Sequence, residues 1–185
     1  YSLSLVTTPW VLQIDADERL TPTLASGITA ALASDTADAY MIGFAVEFMG
    51  RVMRFSGLNH ERHLRLFKND AVTFHQDKSV HESFTLAGAS RLGSLPGKMF
   101  HRPYADLPEY LRKCELYTDL AAKDFVSKGK RLSWRHDYLA AWEMFRCLFL
   151  RLGVLDGLPG FFWALLSAYH KQVRIYKIRR LLTQR

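Results

Sequence analysis

The chain has 185 residues, 49% of them hydrophobic, with a formal net charge of +7 and two cysteines. This length and apolar fraction are enough for a buried core, which excludes a disordered chain. Cys114 and Cys147 lie far apart without metal-ligand spacing, so they indicate reduced thiols rather than a disulfide framework. The excess of positive charge lies in residues 128–185, which contain 12 lysines and arginines and 3 acids, for a net charge of +9. This asymmetry favours an anionic surface as a partner.

The first informative stretch is an apolar run that ends in a cluster of acids, Trp-Val-Leu-Gln-Ile-Asp-Ala-Asp-Glu-Arg at residues 10–19. Its large apolar and β-branched residues predict a short buried strand. In an extended chain Asp15 and Asp17 would lie on the same side, roughly 6–7 Å apart at their Cα atoms. Two like charges at a buried strand end are costly unless a cation lies between them. A hard divalent ion such as Mg²⁺ or Mn²⁺, itself bound to phosphate oxygens, meets that need.

Other functions of the acid cluster are less consistent with its neighbours. An EF-hand loop would need an oxygen ligand at Arg19 and a glycine at Leu20. A phosphatase D-x-D-x-T motif would need threonine or valine at Arg19. The alternative that stays open is a pair of solvated acids at a strand exit that cap the following helix.

The run from Trp10 to Pro22 resembles the D-x-D segment of family 2 glycosyltransferases of the GT-A type, in particular the bacterial lipopolysaccharide-core glucosyltransferase group. The resemblance implies an α/β chain, the C-terminal part of a Rossmann-like GT-A fold followed by C-terminal amphipathic helices. It also implies Asp17 as a direct ligand of Mg²⁺ or Mn²⁺, and Asp15 as a contact to the nucleotide ribose or to a water on the metal. Such enzymes have a strand and a nucleotide-binding turn well before their D-x-D. Neither precedes Trp10, so we expect an N-terminally truncated fragment that is inactive by itself.

Further elements are predicted in chain order. Thr21-Pro22 predicts the N-cap and first residue of a helix that extends to about Ala33. The apolar residues 39–48 predict a strand, and 52–55 a segment that pairs back on it. Further strands are predicted at residues 62–70, 88–94 and 98–101, with a break at Leu95-Pro96-Gly97.

Residues 62–70 resemble the family's R-L-F-R-R-D run. Arg65 alternates with Leu64 and Leu66, so it faces the opposite side of the strand. One interpretation is a cation near the diphosphate or an anionic acceptor. The other is an arginine that faces solvent.

Val80-His81-Glu82 resembles the V-H-E segment of the same group. An inverting transfer needs a carboxylate that deprotonates the acceptor hydroxyl as it attacks the anomeric carbon. Glu82 is the candidate base and Asp77 the alternative, while His81 either orients Glu82 or belongs to the core. GT-A enzymes often complete their metal site with a late histidine, so the resemblance implies this role for His101, with a purely structural histidine as the alternative.

The chain after Leu107 changes to helical periodicity. It predicts helices at about residues 107–128, 133–152 and 161–182, and none of them has the roughly 20 uninterrupted apolar residues of a membrane span. In the third helix Phe162, Leu166 and Tyr169 share one face, beside the basic Lys171 and Arg174. This arrangement favours a helix in the membrane interface, with packing on a missing N-terminal half as the alternative. We therefore expect a partial catalytic domain at 1–105 and a helical, membrane-interface region at 106–185.

The spacing by itself predicts only a metal–diphosphate site, and the resemblance implies a metal-dependent, inverting glycosyltransferase. It would move a sugar from a nucleotide donor, expected to be a UDP-sugar, onto a lipid-linked glycan such as lipopolysaccharide core. It would act as a peripheral protein at the cytoplasmic face of the bacterial inner membrane. The alternatives are a non-catalytic, basic membrane-binding module and a metal-dependent phosphohydrolase. Nucleic acid is not an expected partner, because the C-terminal aromatic residues follow an apolar helix face and not an exposed basic sheet.

Overall fold

The computed structural model describes residues 6–59, 61–75, 83–88 and 90–184. The chain divides into two compact units, called here the sheet unit (Tyr1–Val46 with His60–His101) and the helical unit (Glu47–Asn59 with Arg102–Arg185). The strands are β1 (Trp10–Leu12), β2 (Glu18–Leu20), β3 (Ala39–Phe48), β4 (Arg51–Val52), β5 (Arg62–Lys68), β6 (Val72–His75), β7 (Ser83–Leu86) and β8 (Leu92–His101). The α-helices are α1 (Pro22–Ser34), α2 (Leu107–Ser127), α3 (Leu139–Phe145) and α4 (Leu158–Thr183).

The described sheet has the order β1-β5-β3-β8-β2, with β4 added to the end of β3. β3 is antiparallel to β5 and parallel to β8, and the outer pairs β1–β5 and β2–β8 are antiparallel. β6 and β7 form a separate antiparallel pair. The central place of β3 follows from its almost unbroken apolar sequence, since a strand covered on both faces needs apolar residues on both. The expected mixed α/β class is confirmed.

Helix α1 begins and ends where its sequence predicts. The Thr21 side chain accepts a hydrogen bond from the backbone N–H of Leu24 at 3.3 Å and donates one to the carbonyl of Lys98 at 2.7 Å. The N-cap therefore also fastens the helix to β8. Gly27 lies so close to β8 that a Cβ there would approach Cγ of Pro96 at 2.9 Å.

Three local predictions differ from the structure. β1 is shorter than residues 10–14, only half-buried, and lies at one edge of the described sheet. β2 was not predicted, because three residues that include two charges give no strand pattern. β8 runs without a break through Pro96 and Gly97, since Gly97 adopts φ +81° and a register shift against β3 absorbs the irregularity.

The helical unit is built on contacts between α2 and α4. Ala122, Val126 and Ile178 form a buried cluster, and the Tyr110 hydroxyl donates to the carbonyl of Leu166 at 2.7 Å. The predicted second helix is instead a 3₁₀ turn at Trp134–Tyr138, then α3, then a π turn at Arg146–Leu150. Over the residues that the structure describes, no helix is both long and apolar enough to cross a membrane.

Candidate functional site

The acid cluster lies in a tight turn between β1 and β2. The N–H of Glu18 donates to the carbonyl of Asp15 at 3.0 Å, and the N–H of Asp15 donates to Oε2 of Glu18 at 2.9 Å. The N–H of Gln13 donates to the carbonyl of Arg65 at 2.8 Å, which extends the pairing with β5 up to the turn. Because the chain turns here, the alternation expected of an extended segment does not apply. Asp15 and Asp17 therefore have different neighbours.

Arg65 on β5 joins two of the three carboxylates. Its Nη2 donates to Oδ2 of Asp15 at 2.9 Å and to Oε1 of Glu18 at 2.8 Å. The side chain of Glu18 is 1% exposed and that of Arg65 12% exposed, so the solvent-facing alternative for Arg65 is wrong. Burial raises the pKa of the Glu18 carboxyl, although the Asp15 N–H and the Arg65 guanidinium act in the opposite direction.

The remaining carboxylate, that of Asp17, lies next to a histidine at the end of β8. His101 ends β8, and its Nε2 lies 3.4 Å from Oδ2 of Asp17. The backbone explains this proximity, because Glu18, the first residue of β2, is the register partner of His101. Asp17 and His101 are 84 positions apart in the sequence, and the β2–β8 pairing brings them together.

The ring of Phe44 on β3 supports both sides of the site. The Arg65 guanidinium carbon lies 5.5 Å from the ring centroid, and the His101 ring meets Phe44 edge-on at 5.9 Å. His63 makes a second edge contact at 5.2 Å. β3 lies between β5 and β8, so a buried aromatic residue at this position can contact side chains from both neighbours.

The electrostatic balance of the turn leaves an excess of negative charge. Asp15, Asp17 and Glu18 bring three carboxylates, and Arg65 brings one guanidinium that contacts two of them. Within the described part of the chain the buried Nε of Arg65 has no acceptor. The site therefore offers carboxylate oxygens to a cation at Asp17 and a guanidinium N–H to an anion at Arg65.

The donors fit a divalent ion that a substrate helps to bind, and not an all-protein cage. Among the described residues no group of three His, Cys, Asp or Glu side chains is arranged to hold a metal. Two adjacent ligands of an octahedral ion with bonds of about 2.1 Å lie about 3 Å apart, close to the 3.4 Å between Asp17 and His101. Mg²⁺ is commonly held by one or two carboxylates together with water and substrate phosphates.

The structure thus brings together Asp17 and His101, and separately Asp15 and Arg65. Glu82 and Asp77, the candidate bases, lie outside the described residues, as does His81. Glu18 and Phe44 are not among the site residues predicted from the sequence. The signal for Glu18 was its place three residues after Asp15, the spacing of a reciprocal turn. Phe44 had no signal beyond an apolar strand.

This geometry defines a carboxylate cluster at a mixed sheet in an α/β chain. Such a cluster is suited to a phosphate ligand that carries a metal ion. No family model matches the chain. Curated relatives are nevertheless named glycosyltransferases, which confirms the resemblance noted in the sequence. An uncharacterized glycosyltransferase of Rickettsia typhi and one of Rickettsia prowazekii are each 26% identical over 98% of this chain and 65% of their own length. The lipopolysaccharide core biosynthesis glycosyltransferase LpsC of Rhizobium meliloti is 28% identical over 96% of this chain and 66% of its own. The chain thus spans less than two thirds of the length of these three relatives.

Proposed function

We propose that the chain is part of a metal-dependent, inverting glycosyltransferase of the GT-A type. It transfers a sugar from a nucleotide-diphosphate donor, a UDP-sugar, to a lipid-linked glycan acceptor. The names of its curated relatives support the transferase class. The name of the Rhizobium meliloti relative supports lipopolysaccharide core as the acceptor. The place of action in this proposal is the cytoplasmic face of the bacterial inner membrane.

The proposal depends on how the three carboxylates of one turn are paired. Arg65 forms ion pairs with Asp15 and the buried Glu18, whereas Asp17 lies beside His101. A protein that needed the acids only for stability would gain from pairing all of them with cations, because an uncompensated carboxylate beside two others is repelled by them. A ligand that is itself cationic on one side and anionic on the other, such as a metal diphosphate, matches this arrangement.

In this proposal Asp17 and His101 hold Mg²⁺ or Mn²⁺, and Asp15 contacts the ribose or a metal-bound water. When bound, the ion supplies positive charge to the leaving diphosphate. Arg65 keeps the turn in shape and directs its remaining N–H toward the anionic ligand. Phe44 fixes the orientation of both Arg65 and His101. Glu82, or alternatively Asp77, removes the proton of the acceptor hydroxyl as that oxygen attacks the anomeric carbon from the side opposite the leaving group.

The test measures metal and nucleotide binding by calorimetry on the full-length protein. We expect Mn²⁺ to bind tightly only together with UDP, because the protein offers few ligands of its own. Replacement Asp17→Asn should weaken the joint binding by about 100-fold, the upper end of what a perturbed metal site loses. The matched control is Asp70→Asn, an exposed acid in the turn after β5, which should bind as the wild type does.

The same protein is then assayed for transfer from UDP-sugars to lipid-linked acceptors, with and without chelator. Binding of UDP that ignores both chelator and Asp17→Asn would contradict the metal site. Metal-dependent release of phosphate from a monoester without any acceptor would instead indicate the phosphohydrolase. Absence of any metal or nucleotide binding would favour the remaining candidate function, a non-catalytic membrane-binding module.

A further inference from the structure

The segment around α3 presents a row of aromatic side chains to solvent. These residues, called here the aromatic ladder, are Trp134, Tyr138, Trp142, Phe145 and Phe149, and each is 46–70% exposed. Their spacing of three or four positions places them on one side of a helical segment. Neighbouring rings are in contact, with centroids 6.1 Å apart for Trp134–Tyr138, 5.8 Å for Trp142–Phe145 and 5.2 Å for Phe145–Phe149.

The opposite side of the same segment has a buried charge. Glu143 is only 8% exposed and pairs with Arg146 at 2.7 Å, and its carboxylate accepts a hydrogen bond from the Cys147 thiol at 3.5 Å. A helix on a water-facing surface would be expected to turn its glutamate outward and its aromatic rings inward, because burying a charge is costly and burying a ring is favourable. The same inner side also buries Cys147 and Leu148 in an apolar cluster, so apolar residues occur on both sides of the segment. The outward aromatic rings therefore indicate that the outer side meets an apolar phase.

The apolar surface continues into the start of α4. A Cβ on Gly160 would overlap the carbonyl oxygen of Gly153, so the 3₁₀ turn Gly153–Asp156 packs closely against the first turn of α4. Directly after the ladder in the sequence, this turn and the start of α4 contain a second group of exposed apolar residues: Leu152, Val154, Leu155, Leu158, Phe161, Phe162 and Leu165. Monomeric proteins rarely expose so many neighbouring large apolar side chains without a partner.

The charges around this surface favour phospholipid over protein as that partner. Lys130 and Arg131 are exposed directly before the ladder. Arg135 is exposed within it, and its guanidinium lies 5.7 Å over the Trp134 ring. Arg151 is exposed at the other end. Tryptophan, tyrosine and arginine at the border of an apolar face are the composition of membrane-interface helices. By contrast, Lys177 and Arg179 farther along α4 already form ion pairs within the unit.

We propose that the aromatic ladder and the exposed residues at the start of α4 insert into the interface of a membrane that contains anionic phospholipid, with Lys130, Arg131, Arg135 and Arg151 on the headgroups. This docking surface is independent of the proposed transfer reaction, and its test requires neither donor nor acceptor. It shares Phe162 with the surface expected from the sequence, but it adds the aromatic ladder and does not use the basic residues in the C-terminal half of the last helix.

The experiment measures binding of the full chain to vesicles of phosphatidylcholine with or without phosphatidylglycerol. The wild type should sediment with the anionic vesicles, and brominated acyl chains should quench its tryptophan fluorescence. The variant Trp142→Ser/Phe149→Ser should bind about tenfold more weakly for each ring removed. Lys130→Gln/Arg131→Gln should lose about fivefold for each charge, and high salt should reduce the effect of these two charges.

The matched control replaces two exposed apolar residues of α2, Leu116→Ser/Tyr117→Ser, and should bind like the wild type. Circular dichroism checks that all variants fold, as expected for substitutions at exposed positions. Failure of the wild type to bind either kind of vesicle would overturn the proposal, as would equal losses in the ladder and control variants. A wild type that forms dimers disrupted by Trp142→Ser/Phe149→Ser, and that ignores vesicles, would assign the surface to a second copy of the chain.

Discussion

Replacement of Arg65 by methionine tests whether its guanidinium compensates the buried carboxylate of Glu18. Methionine keeps much of the length of the side chain and its contact with Phe44 but removes the charge and both hydrogen bonds. Among the described residues, Glu18 would then keep one hydrogen bond, from the N–H of Asp15 at 2.9 Å. Its side chain is 1% exposed, so water cannot replace the lost partner.

The expected loss follows from these contacts. Removal of one member of a buried ion pair costs about 3–5 kcal/mol. Arg65 is 12% exposed and Asp15 54% exposed, so part of the interaction is screened by solvent. We therefore expect Arg65→Met to lower the free energy of unfolding by about 2–4 kcal/mol. Glu18→Gln, which keeps an acceptor for the Asp15 N–H, should cost about 1 kcal/mol.

Urea unfolding followed by circular dichroism measures these values, with Arg19→Met as the matched control. Arg19 is an exposed arginine on β2, and its replacement should change the free energy by no more than about 0.5 kcal/mol. The double variant Arg65→Met/Glu18→Gln should lose less than the sum of the single losses, with a coupling energy of about 1–3 kcal/mol. Additive losses, or a loss for Arg65→Met no larger than for Arg19→Met, would refute the compensation of Glu18 by Arg65.

Two further predictions concern other carboxylates. Asp156 accepts hydrogen bonds from the backbone N–H groups of residues 54 and 55 and from the Ser56 hydroxyl at 2.9, 3.0 and 3.1 Å, so Asp156→Ala should destabilise the protein by about 2–3 kcal/mol. Asp156→Asn keeps one acceptor oxygen and should lose less in the same urea titration, and equal losses would contradict this role. Hydrogen bonds from the side chain and backbone of Arg91, and then from Lys68, hold the pKa of Asp38 well below its usual range. A lowered pKa stabilises the folded state above the ordinary value of 3.8 and ceases to do so as the pH falls. The difference in melting temperature between wild type and Asp38→Asn should therefore narrow below about pH 4, and a constant difference would argue against the linkage.

Much of the backbone could be predicted because local signals and burial agree. The apolar run of β3 and the Thr21-Pro22 start of α1 gave bounds close to those observed. β8 was divided in the prediction because Pro96-Gly97 is a strong local turn signal, whereas pairing with β3 keeps the strand continuous. Tertiary pairing overrides propensity in such cases.

The candidate site was only partly predictable for a related reason. The acid cluster and Arg65 were visible as motifs, but their contacts depend on a turn that an alternation argument does not produce. The burial of Glu18 arises from the pairing of β2 with β8, and β2 itself had no strand signal. The roles of Glu82 and Asp77 stay predictions, and so does metal binding by Asp17, Asp15 and His101.

The central ring of Phe44 has a consequence for the entropy of ligand binding. It is almost fully buried on the middle strand, and Arg65 and His101 both rest against it. Long side chains such as arginine lose about 2 kcal/mol of rotamer freedom when they are fixed in one conformation. In this protein much of that freedom is already lost when the sheet folds, so a ligand that contacts Arg65 and His101 meets preorganised groups. Replacing Phe44 with a small residue would let the side chains of Arg65 and His101 sample more rotamers in the free protein. Ligand binding would then cost more conformational entropy, although every ligand contact would remain.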